Sequence, residues 1–282
     1  MKIIKRYLIK KVVVTSMSLF LLLLFIIIPT KNNIKKIEKP VQKNKSIYLL
    51  DKDNYVSKVN CYYDAKNIKD EISEKINILK SGTSNFKGII PNNIKLNNIE
   101  VDKDKVYLDF NEDFNNIKDK TKIYEAIVYS LTDINGINKI YISVNKKMLD
   151  NMPLERNIGI NKKYNLDSFD YIDKVTIFFS KDDYIVPITF VSNNKEEKIN
   201  IIIKELKSSI NALNNLNGYI NDEIKLVDYS VDKDKIELVF NKFIFDDEKI
   251  KNLIASSIFE NYNVNQIVAY NSDKSVSVTI KK

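Results

Sequence analysis

Carboxylate side chains supply the first candidates for chemistry in this sequence of 282 residues. Asp109, Glu112 and Asp113 lie close together with Asn111, and oxygen ligands of this kind suit a hard cation such as Ca²⁺. The same residues can instead cap the helix that follows and keep a turn in water. Because the spacing lacks the glycine and the distal glutamate of a calcium loop, it favours the structural interpretation, and we predict no metal site.

A second set of carboxylates occurs at two similar places, with Asp102 and Asp104 at one and Asp232 and Asp234 at the other. Paired carboxylates perform acid–base catalysis in glycoside hydrolases. Here each pair belongs to the sequence Val-Asp-Lys-Asp-Lys between two β-rich stretches, which is typical of a hydrophilic hairpin turn. We therefore expect turns at these positions and not catalytic sites.

Histidine is absent from the sequence, and cysteine occurs once, at Cys61. Neither a Ser-His-Asp nor a Cys-His nucleophile can form, and histidine-ligated zinc and haem are excluded. A single cysteine permits no internal disulfide, and its place in a β-rich stretch predicts a buried apolar position. With only five glycines, the sequence contains no glycine-rich phosphate loop. It predicts that the protein is not an enzyme and uses no cofactor.

Tyrosine provides the binding chemistry that the sequence favours. Tyr107 and Tyr141 stand in the outward phase of two predicted strands whose alternate residues are apolar. Tyrosine rings on an exposed sheet face can bind a partner protein or a glycan, although half-exposed tyrosines are also ordinary in strands. We predict that Tyr107 and Tyr141 belong to a partner-binding surface.

The positive charge of the chain is concentrated ahead of its folded part. The formal net charge is +8; residues 1–11 carry +5 and residues 29–45 carry another +5, which leaves −2 for residues 46–282. A nucleic-acid interface needs a clustered basic excess on the folded part. Arginine, the usual contact to phosphates and base edges, occurs only at Arg6 and Arg156. We therefore predict no nucleic-acid partner.

An uncharged apolar run at residues 12–28 separates the two basic stretches and ends before Pro29. As a helix it would span about 25 Å, slightly less than the bilayer hydrocarbon core of about 30 Å. The residues that follow lack the small side chains of a cleavage site. We predict an uncleaved anchor, with a cleaved signal peptide as the alternative. Because lysine and arginine next to a span favour the cytoplasm, residues 1–11 are predicted to be cytoplasmic and residues 29–282 extracytoplasmic.

The rest of the sequence contains one unit twice. Residues 88–111 and 218–241 match at a constant offset of 130, through the shared Val-Asp-Lys-Asp-Lys to Asn111 and Asn241. Extending this match with small gaps predicts two copies. The predicted order along the chain is a cytoplasmic tail, a transmembrane anchor, a linker, the first copy, a connector and the second copy, at residues 1–11, 12–28, 29–44, 45–149, 150–172 and 173–282.

Each copy has the same predicted order of secondary structure. Short stretches with alternating apolar residues indicate strands, and two longer stretches with apolar residues at helical spacing indicate helices. One apolar stripe on each helix can cover the apolar face of a small sheet. The predicted fold class is α+β, with two tandem copies of a small βαββαβ-like unit whose helices pack on a mixed or antiparallel sheet, after an N-terminal transmembrane helix.

The first copy carries a recognisable pattern. Gly88 and Pro91 precede an Ile-Lys-Leu strand, Val-Tyr-Leu-Asp-Phe-Asn-Glu-Asp-Phe follows at residues 106–114, and Ile-Val-Tyr-Ser-Leu-Thr-Asp-Ile-Asn-Gly-Ile follows at residues 127–137. This pattern resembles the GerMN domain family, and the resemblance extends over nearly all of residues 45–282. It implies a non-enzymatic envelope protein of spore-forming bacteria with two such domains in tandem.

The predicted function combines the anchor, the duplication and the resemblance. We expect a single-pass membrane protein whose domains lie on the extracytoplasmic side or in the forespore intermembrane space. It would act as a scaffold or assembly protein in sporulation or spore germination through contacts with envelope or sporulation-complex proteins, with self-association as a further option. The alternative is an extracytoplasmic module or sensor that binds a solute or a peptidoglycan fragment in a cleft between the two copies.

Overall fold

The computed structural model describes residues 45–166, 171–193, 195–212 and 215–282. The predicted membrane anchor at residues 12–28 lies outside these ranges. Among the helices that they contain, none has both the length and the apolar character needed to cross a membrane.

The secondary structure follows one order in each half. The first half contains β1 (Lys45–Leu50), β2 (Val56–Cys61), α1 (Ile68–Ser81), β3 (Leu96–Asp102), β4 (Lys105–Phe110), a short 3-10 helix (Glu112–Asn116), α2 (Thr121–Thr132), β5 (Lys139–Val144) and β6 (Lys147–Met148). A 3-10 helix (Arg156–Ile158) and β7 (Lys163–Asn165) come next. The second half contains β8 (Asp173–Lys181), β9 (Tyr184–Ser192), α3 (Lys198–Ala212), β10 (Leu226–Val231), β11 (Lys235–Phe240), α4 (Glu248–Asn261), β12 (Gln266–Asn271) and β13 (Ser277–Lys281).

Local sequence signals determine where the helices begin and end. The side chain of Asn67 precedes α1 and accepts a hydrogen bond from the backbone N–H of Asp70 (3.0 Å), which caps the helix. Gly82 ends α1 at a φ of +68°, and a Cβ at this position would lie 2.4 Å from the carbonyl oxygen of Phe86. Helix α4 begins in the same way at Asp247, whose carboxylate accepts from the N–H of Lys249 (2.8 Å).

Each half has a four-stranded sheet of the same topology, in the orders β3-β4-β5-β6 and β10-β11-β12-β13. The central strands are parallel, β4 with β5 and β11 with β12, and the outer pairs are antiparallel. Helices α2 and α4 form the crossovers that parallel neighbours require. The alternating apolar residues of β4 and β11 point into two separate hydrophobic cores, one in each half. The predicted α+β class with mixed sheets is confirmed.

The two halves also share polar details. Asn111 Oδ1 accepts from the N–H of Lys95 (2.8 Å), and Asn241 Oδ1 accepts from the N–H of Lys225 at the same distance. The amide nitrogen of Asn111 donates to the carbonyl of Asn93 (3.1 Å), and the amide nitrogen of Asn241 donates to the carbonyl of Glu223 (2.9 Å).

A helical serine repeats in the same way. Ser130 Oγ accepts from the N–H of Tyr48, and Ser257 Oγ accepts from the N–H of Phe178, each at 3.0 Å. These matches follow the duplication seen in the sequence, because the same short-range contacts recur at equivalent positions.

The first two strands of each half depart from the predicted architecture. Each half begins with two strands and not one, and the two hairpins join a common five-stranded sheet in the order β1-β2-β9-β7, with β8 along the other edge of β9. Strands β2 and β9 meet at the register pair Lys58 and Ile185. The unit is therefore ββαββαββ, with one strand more at each end than the predicted βαββαβ-like unit. The hairpins of the two halves pair with each other, and neither joins the four-stranded sheet of its own half.

A buried ion pair joins the tips of these hairpins. Lys181 Nζ lies 3.0 Å from Asp51 Oδ2 and 2.5 Å from Asp53 Oδ2, and the hydroxyl of Tyr184 donates to Asp51 (3.0 Å). The side chains of Lys181 and Asp51 are 2% and 1% exposed. Burial lowers the pKa of Lys181, but its hydrogen bonds to the two carboxylates outweigh this effect and raise the pKa above its ordinary value.

The predicted connector at residues 150–172 contributes to the core. Ile160 is fully buried, and β7 adds a parallel strand to β9. Asn161, at a φ of +45°, joins the two hairpins: its Oδ1 accepts from the N–H of Val56 (2.9 Å), and its Nδ2 donates to the carbonyls of Val56 and Pro187 (both 2.8 Å). One amide side chain thus replaces a backbone pairing where β2 and β9 diverge.

One lysine lies inside the first core. Lys75 on α1 is 2% exposed, and its ammonium group donates to the carbonyls of Ser46 (2.6 Å) and Ser130 (2.7 Å). Burial lowers its pKa to about 8, against an opposing effect of the Asp133 and Glu71 charges. The equivalent residue of the second half is the buried Ile202, which is uncharged.

Replacing Lys75 with methionine is expected to change how stability depends on pH. The unfolded lysine titrates at about 10.5 and the folded one at about 8, so the unfolded chain binds more protons between these pH values. The unfolding free energy of the wild type relative to Lys75→Met should therefore rise by up to about 3 kcal/mol from about pH 7.5 to about pH 10. Urea titrations at both pH values measure this difference. Lys69→Met, at an exposed position of the same helix, serves as the control, and a difference independent of pH would contradict the prediction.

The Asn161→Ala variant is expected to lose about 3 kcal/mol of unfolding free energy, because it leaves three backbone groups of β2 and β9 without their partner. Asn92→Ala, in an exposed turn of the first half, should stay within about 0.5 kcal/mol of the wild type. Urea unfolding at one pH compares the three proteins. Equal stabilities of the two variants would mean that the amide does not hold the hairpins together.

Candidate functional site

The two tyrosines of the predicted surface are neighbours in the sheet of the first half. Tyr107 on β4 and Tyr141 on β5 are register partners in the parallel pair. Their rings stack with centroids 4.8 Å apart and planes inclined by 13°. Both side chains are half-buried, while the residues on either side of them in the strands are buried in the core. The structure thus brings both residues together on the outer face of the sheet, and their role in binding stays a prediction.

Other residues of this face surround the tyrosine pair with polar and flexible groups. Glu100 on β3 lies opposite Tyr107, and Met148 on β6 lies opposite Ser143 and is 38% exposed. The equivalent face of the second half has Glu237 and Val268 as register partners in place of the two tyrosines. The stacked pair is therefore a property of the first half.

Two further tyrosines are part of the core and not of a surface. Tyr48 and Tyr129 are fully buried and pack edge to face, with ring centroids 5.4 Å apart. Within the described residues, the Tyr48 hydroxyl is the buried side-chain group that lacks a hydrogen-bond partner, and burial raises its pKa well above the ordinary value. The equivalent residue in the second half is Phe178, which has no hydroxyl group to satisfy.

The acidic residues that could have suggested a cation site stabilise the end of the sheet. Asp109 accepts hydrogen bonds from Ser143 Oγ (2.6 Å) and from the N–H of Lys146 (2.7 Å). Burial raises the pKa of Asp109, but these hydrogen bonds outweigh it and lower the pKa below its ordinary value. Asp109 thus fixes the turn between β5 and β6, where Asn145 and Lys146 have positive φ. In the described ranges, no group of three or more acidic or cysteine side chains could hold a metal ion.

The paired aspartates lie in hairpin turns, as predicted from the sequence. Asp102 and Lys105 are register partners on either side of a two-residue turn, with Lys103 at a φ of +55°. The N–H of Asp232 donates to the carbonyl of Lys235 (2.9 Å) in the second half. Asp102, Asp232 and Asp234 are exposed, and Asp104 is half-buried.

Cys61 is buried, as predicted. Its Sγ lies 3.4 Å from the carbonyl oxygen of Lys45, and burial raises the pKa of the thiol. A raised thiol pKa reduces the thiolate fraction on which nucleophilic reactivity depends. The geometry thus assigns Cys61 to packing between β1 and β2.

A charged cluster between the halves was not foreseen from the sequence. Arg156 lies in the short helix after the first half, and its Nη1 donates to Glu260 Oε2 on α4 (2.5 Å). Its Nη2 donates to Asp133 at the end of α2, and its Nε donates to Thr132 Oγ1 (2.8 Å). The guanidinium carbon lies 4.7 Å from the ring centroid of Tyr129. We call Lys58, Asp133, Arg156 and Glu260 the Arg156 cluster.

Asp133 is the most connected member of the Arg156 cluster. Its carboxylate accepts a hydrogen bond from Ser46 Oγ (2.5 Å), and its Oδ2 lies 3.3 Å from Lys58 Nζ. Burial raises the pKa of Asp133, but the charges of Lys58 and Arg156 and the Ser46 hydroxyl outweigh it and lower the pKa below its ordinary value. The cluster thus places a carboxylate from each half beside one guanidinium group.

A cleft of about 580 Å³ opens beside the Arg156 cluster. This volume lies in the range of small-molecule sites, which often form where two structural units meet. Both halves supply its walls. The charged side chains on its walls come from both halves and from the segment between them: Lys58, Asp133, Arg156, Glu260 and Lys282.

The sequence contained one signal for the Arg156 cluster. Arg156 is the only arginine after Arg6, and it lies in the segment predicted to be a connector. Arginine in place of lysine indicates a bidentate or stacked contact, which the structure shows. Its partners Asp133 and Glu260 lie 23 and 104 residues away, so no local pattern could have identified them.

The Arg156→Met variant is expected to lose about 3 to 5 kcal/mol of unfolding free energy, because it leaves buried carboxylates without their partner. Asp133 keeps Lys58, whereas Glu260 loses the ion pair that the structure gives it. Adding Glu260→Gln to Arg156→Met should therefore recover part of the loss. Urea unfolding of the two variants measures both effects.

Arg156→Lys is the conservative comparison. It keeps the charge but cannot form the forked contact, so we expect a smaller loss, of about 1 to 3 kcal/mol. If Arg156→Met unfolds within about 1 kcal/mol of the wild type, the cluster does not hold the halves together.

Comparison with known proteins supports the same architecture. The family model described as "Germane: Sporulation and spore germination" matches residues 46–150. The spore germination protein GerM of Bacillus subtilis (strain 168) is 25% identical over 262 residues, which cover 84% of this chain and 71% of that protein.

A solved structure extends this similarity to the fold. The tandem GerMN domains of the sporulation protein GerM from Bacillus subtilis align with a TM-score of 0.72 at 21% identity, covering 83% of this chain and 92% of that one. The resemblance to the GerMN family is confirmed. The chain is similar to tandem GerMN domains over most of its length, and the match to the Germane family model lies in its first half.

Proposed function

We propose that this chain is a membrane-anchored, extracytoplasmic scaffold or assembly protein that acts in sporulation or spore germination through protein–protein contacts. The observation that carries the proposal is the match to GerM, a spore germination protein, in sequence over 84% of the chain and in the fold of both halves. Its partners would be other proteins of the envelope or of a sporulation complex.

The residues described above also support a role in binding. The acidic residues at Asp109 and in the two hairpins stabilise turns, and the Cys61 thiol is buried with a raised pKa. The half-buried tyrosine pair, by contrast, presents stacked aromatic rings on the outer sheet face of the first half. Aromatic side chains of this kind are enriched where proteins bind each other.

The proposed location rests on the sequence. The apolar run at residues 12–28 follows five basic residues in the first eleven, and this charge distribution favours a cytoplasmic N-terminus. A single anchor would confine the folded part to the extracytoplasmic face of the cell membrane or to the forespore intermembrane space. It would also concentrate the folded part near partners in the same membrane.

Deletion of the gene in its host tests the sporulation role. We expect fewer heat-resistant spores or slower germination than in the parent strain, while vegetative growth is unchanged. The wild-type gene supplied in trans should restore the parental spore count. A deletion strain that forms and germinates spores at the parental rate would contradict the proposal.

The tyrosine pair is tested in the same strain. We expect that the Tyr107→Ser, Tyr141→Ser double variant does not restore sporulation although it accumulates and unfolds like the wild type. Tyr164→Ser, at a tyrosine that is 65% exposed elsewhere on the surface, is the matched control and should restore it. Full restoration by the double variant would exclude this face as the partner surface and leave the sporulation role unaffected.

A second candidate function is the binding of a solute or peptidoglycan fragment on the extracytoplasmic side. The observation in its favour is the cleft of about 580 Å³ beside the Arg156 cluster, at the place where the two halves meet. The two functions are compatible, because the tyrosine pair lies on a sheet face of the first half and the cleft lies between the halves.

A further inference from the structure

The cleft between the halves has charged walls whose contacts indicate what it would bind. Three cations, Lys58, Arg156 and Lys282, and two carboxylates, Asp133 and Glu260, line it. The side chains of the lining therefore carry one positive charge in excess, and their hydrogen bonds show which cations are engaged.

The two carboxylates are already engaged. Asp133 contacts Arg156, Ser46 and Lys58, and Glu260 contacts Arg156. Arg156 in turn directs its Nε, Nη1 and Nη2 groups to protein acceptors. Asp133, Arg156 and Glu260 therefore have fixed positions in the wall of the cleft, because hydrogen bonds and ion pairs hold them to one another and to neighbouring residues.

The two lysines retain hydrogen-bonding capacity. An ammonium group has three N–H donors. In the part of the chain that the structure describes, Lys58 Nζ lies 3.3 Å from Asp133 Oδ2, and Lys282 Nζ donates to the carbonyl of Phe259 (3.3 Å). Each contact uses one donor, so both ammonium groups can still donate to a molecule in the cleft. A ligand that fits them supplies acceptors and a negative charge.

The walls also contain apolar surface. Phe259 lines the second-half side and is half-buried, and the buried Phe178 and Ile137 lie behind the walls. The Lys282 ammonium lies 6.0 Å from the centroid of the Phe259 ring. A ligand with an apolar or sugar-ring body and one carboxylate would match both the aromatic side and the spare N–H donors.

We propose that the cleft binds a small organic carboxylate, with Lys58 and Lys282 as the residues that contact the carboxylate group. This inference rests on the second candidate function and is independent of the scaffold role. For an extracytoplasmic protein, sugars and peptides released from the cell wall are a source of such carboxylates. The chemistry that the cleft recognises is the carboxylate on a small polar body.

Two sugars that differ in the carboxylate test the proposal. N-acetylmuramic acid carries a lactyl carboxylate, and N-acetylglucosamine has the same acetamido sugar ring without it. Isothermal titration calorimetry on the full chain in mild detergent should detect saturable binding of N-acetylmuramic acid. We expect N-acetylglucosamine to bind at least about tenfold more weakly, because it lacks a charge-assisted hydrogen bond.

Variants identify the site. Lys282→Met and Lys58→Met should each weaken binding of N-acetylmuramic acid about tenfold, and Ser256→Trp should abolish it by filling the cleft. Lys95→Met, which removes the same charge from an exposed position outside the lining, is the matched control and should bind like the wild type. Lys58→Met also removes the ion pair with Asp133. Lys282→Met leaves the Arg156 cluster intact, because the exposed Lys282 contacts Phe259 and none of the cluster residues.

Three results would overturn the proposal. One is the absence of saturable binding up to about 10 mM, tenfold weaker than a millimolar complex. Another is equal binding of the two sugars. The last is wild-type binding by a folded Ser256→Trp variant. None of these affects the spore counts that test the scaffold role, so failure of one proposal is distinguishable from failure of the other.

Discussion

Arg156 and the two carboxylates around it are the interaction on which the arrangement of the two halves depends. Asp133 ends a helix of the first half and Glu260 ends a helix of the second, and one guanidinium group binds both. Removing such groups from water is costly, and the cost is offset only when the remaining donors and acceptors are satisfied. Thr132, Ser46 and Lys58 provide those contacts. The cleft opens beside this cluster, and Asp133, Arg156 and Glu260 belong to its walls.

The elements within each half could be predicted from the sequence because their signals are local. Alternation in β4 and β5, helical spacing in α1 and α2, and the Val-Asp-Lys-Asp-Lys turns all depend on neighbouring residues. The repeated unit then extended these predictions from one half to the other. The same alternation predicts that Tyr107 and Tyr141 share an outer face, and the β-rich stretch around Cys61 predicts that this residue is buried.

The contacts between the halves could not be predicted, since they join residues far apart in sequence. The pairing of Lys58 with Ile185 places two hairpins in one sheet, although periodicity shows only that each hairpin exists. Asn161 lies in a segment without periodicity, and its three hydrogen bonds become visible only when β2 and β9 are in place. The halves have also diverged: Lys75 and the tyrosine pair occur in the first half, where the second half has Ile202, Glu237 and Val268.

The continuous sheet has a mechanical consequence. The described chain begins with β1, and the second half is reached across the sheet from β1 to β2 and then to β9. If the protein is held at its amino-terminal end and pulled at its second half, the tension passes through the six register pairs between β1 and β2, and then through the Lys58 and Ile185 pairing, Asn161 and Arg156. The junction between β2 and β9 has a single register pair, so side-chain contacts between the halves would carry a large share of this load.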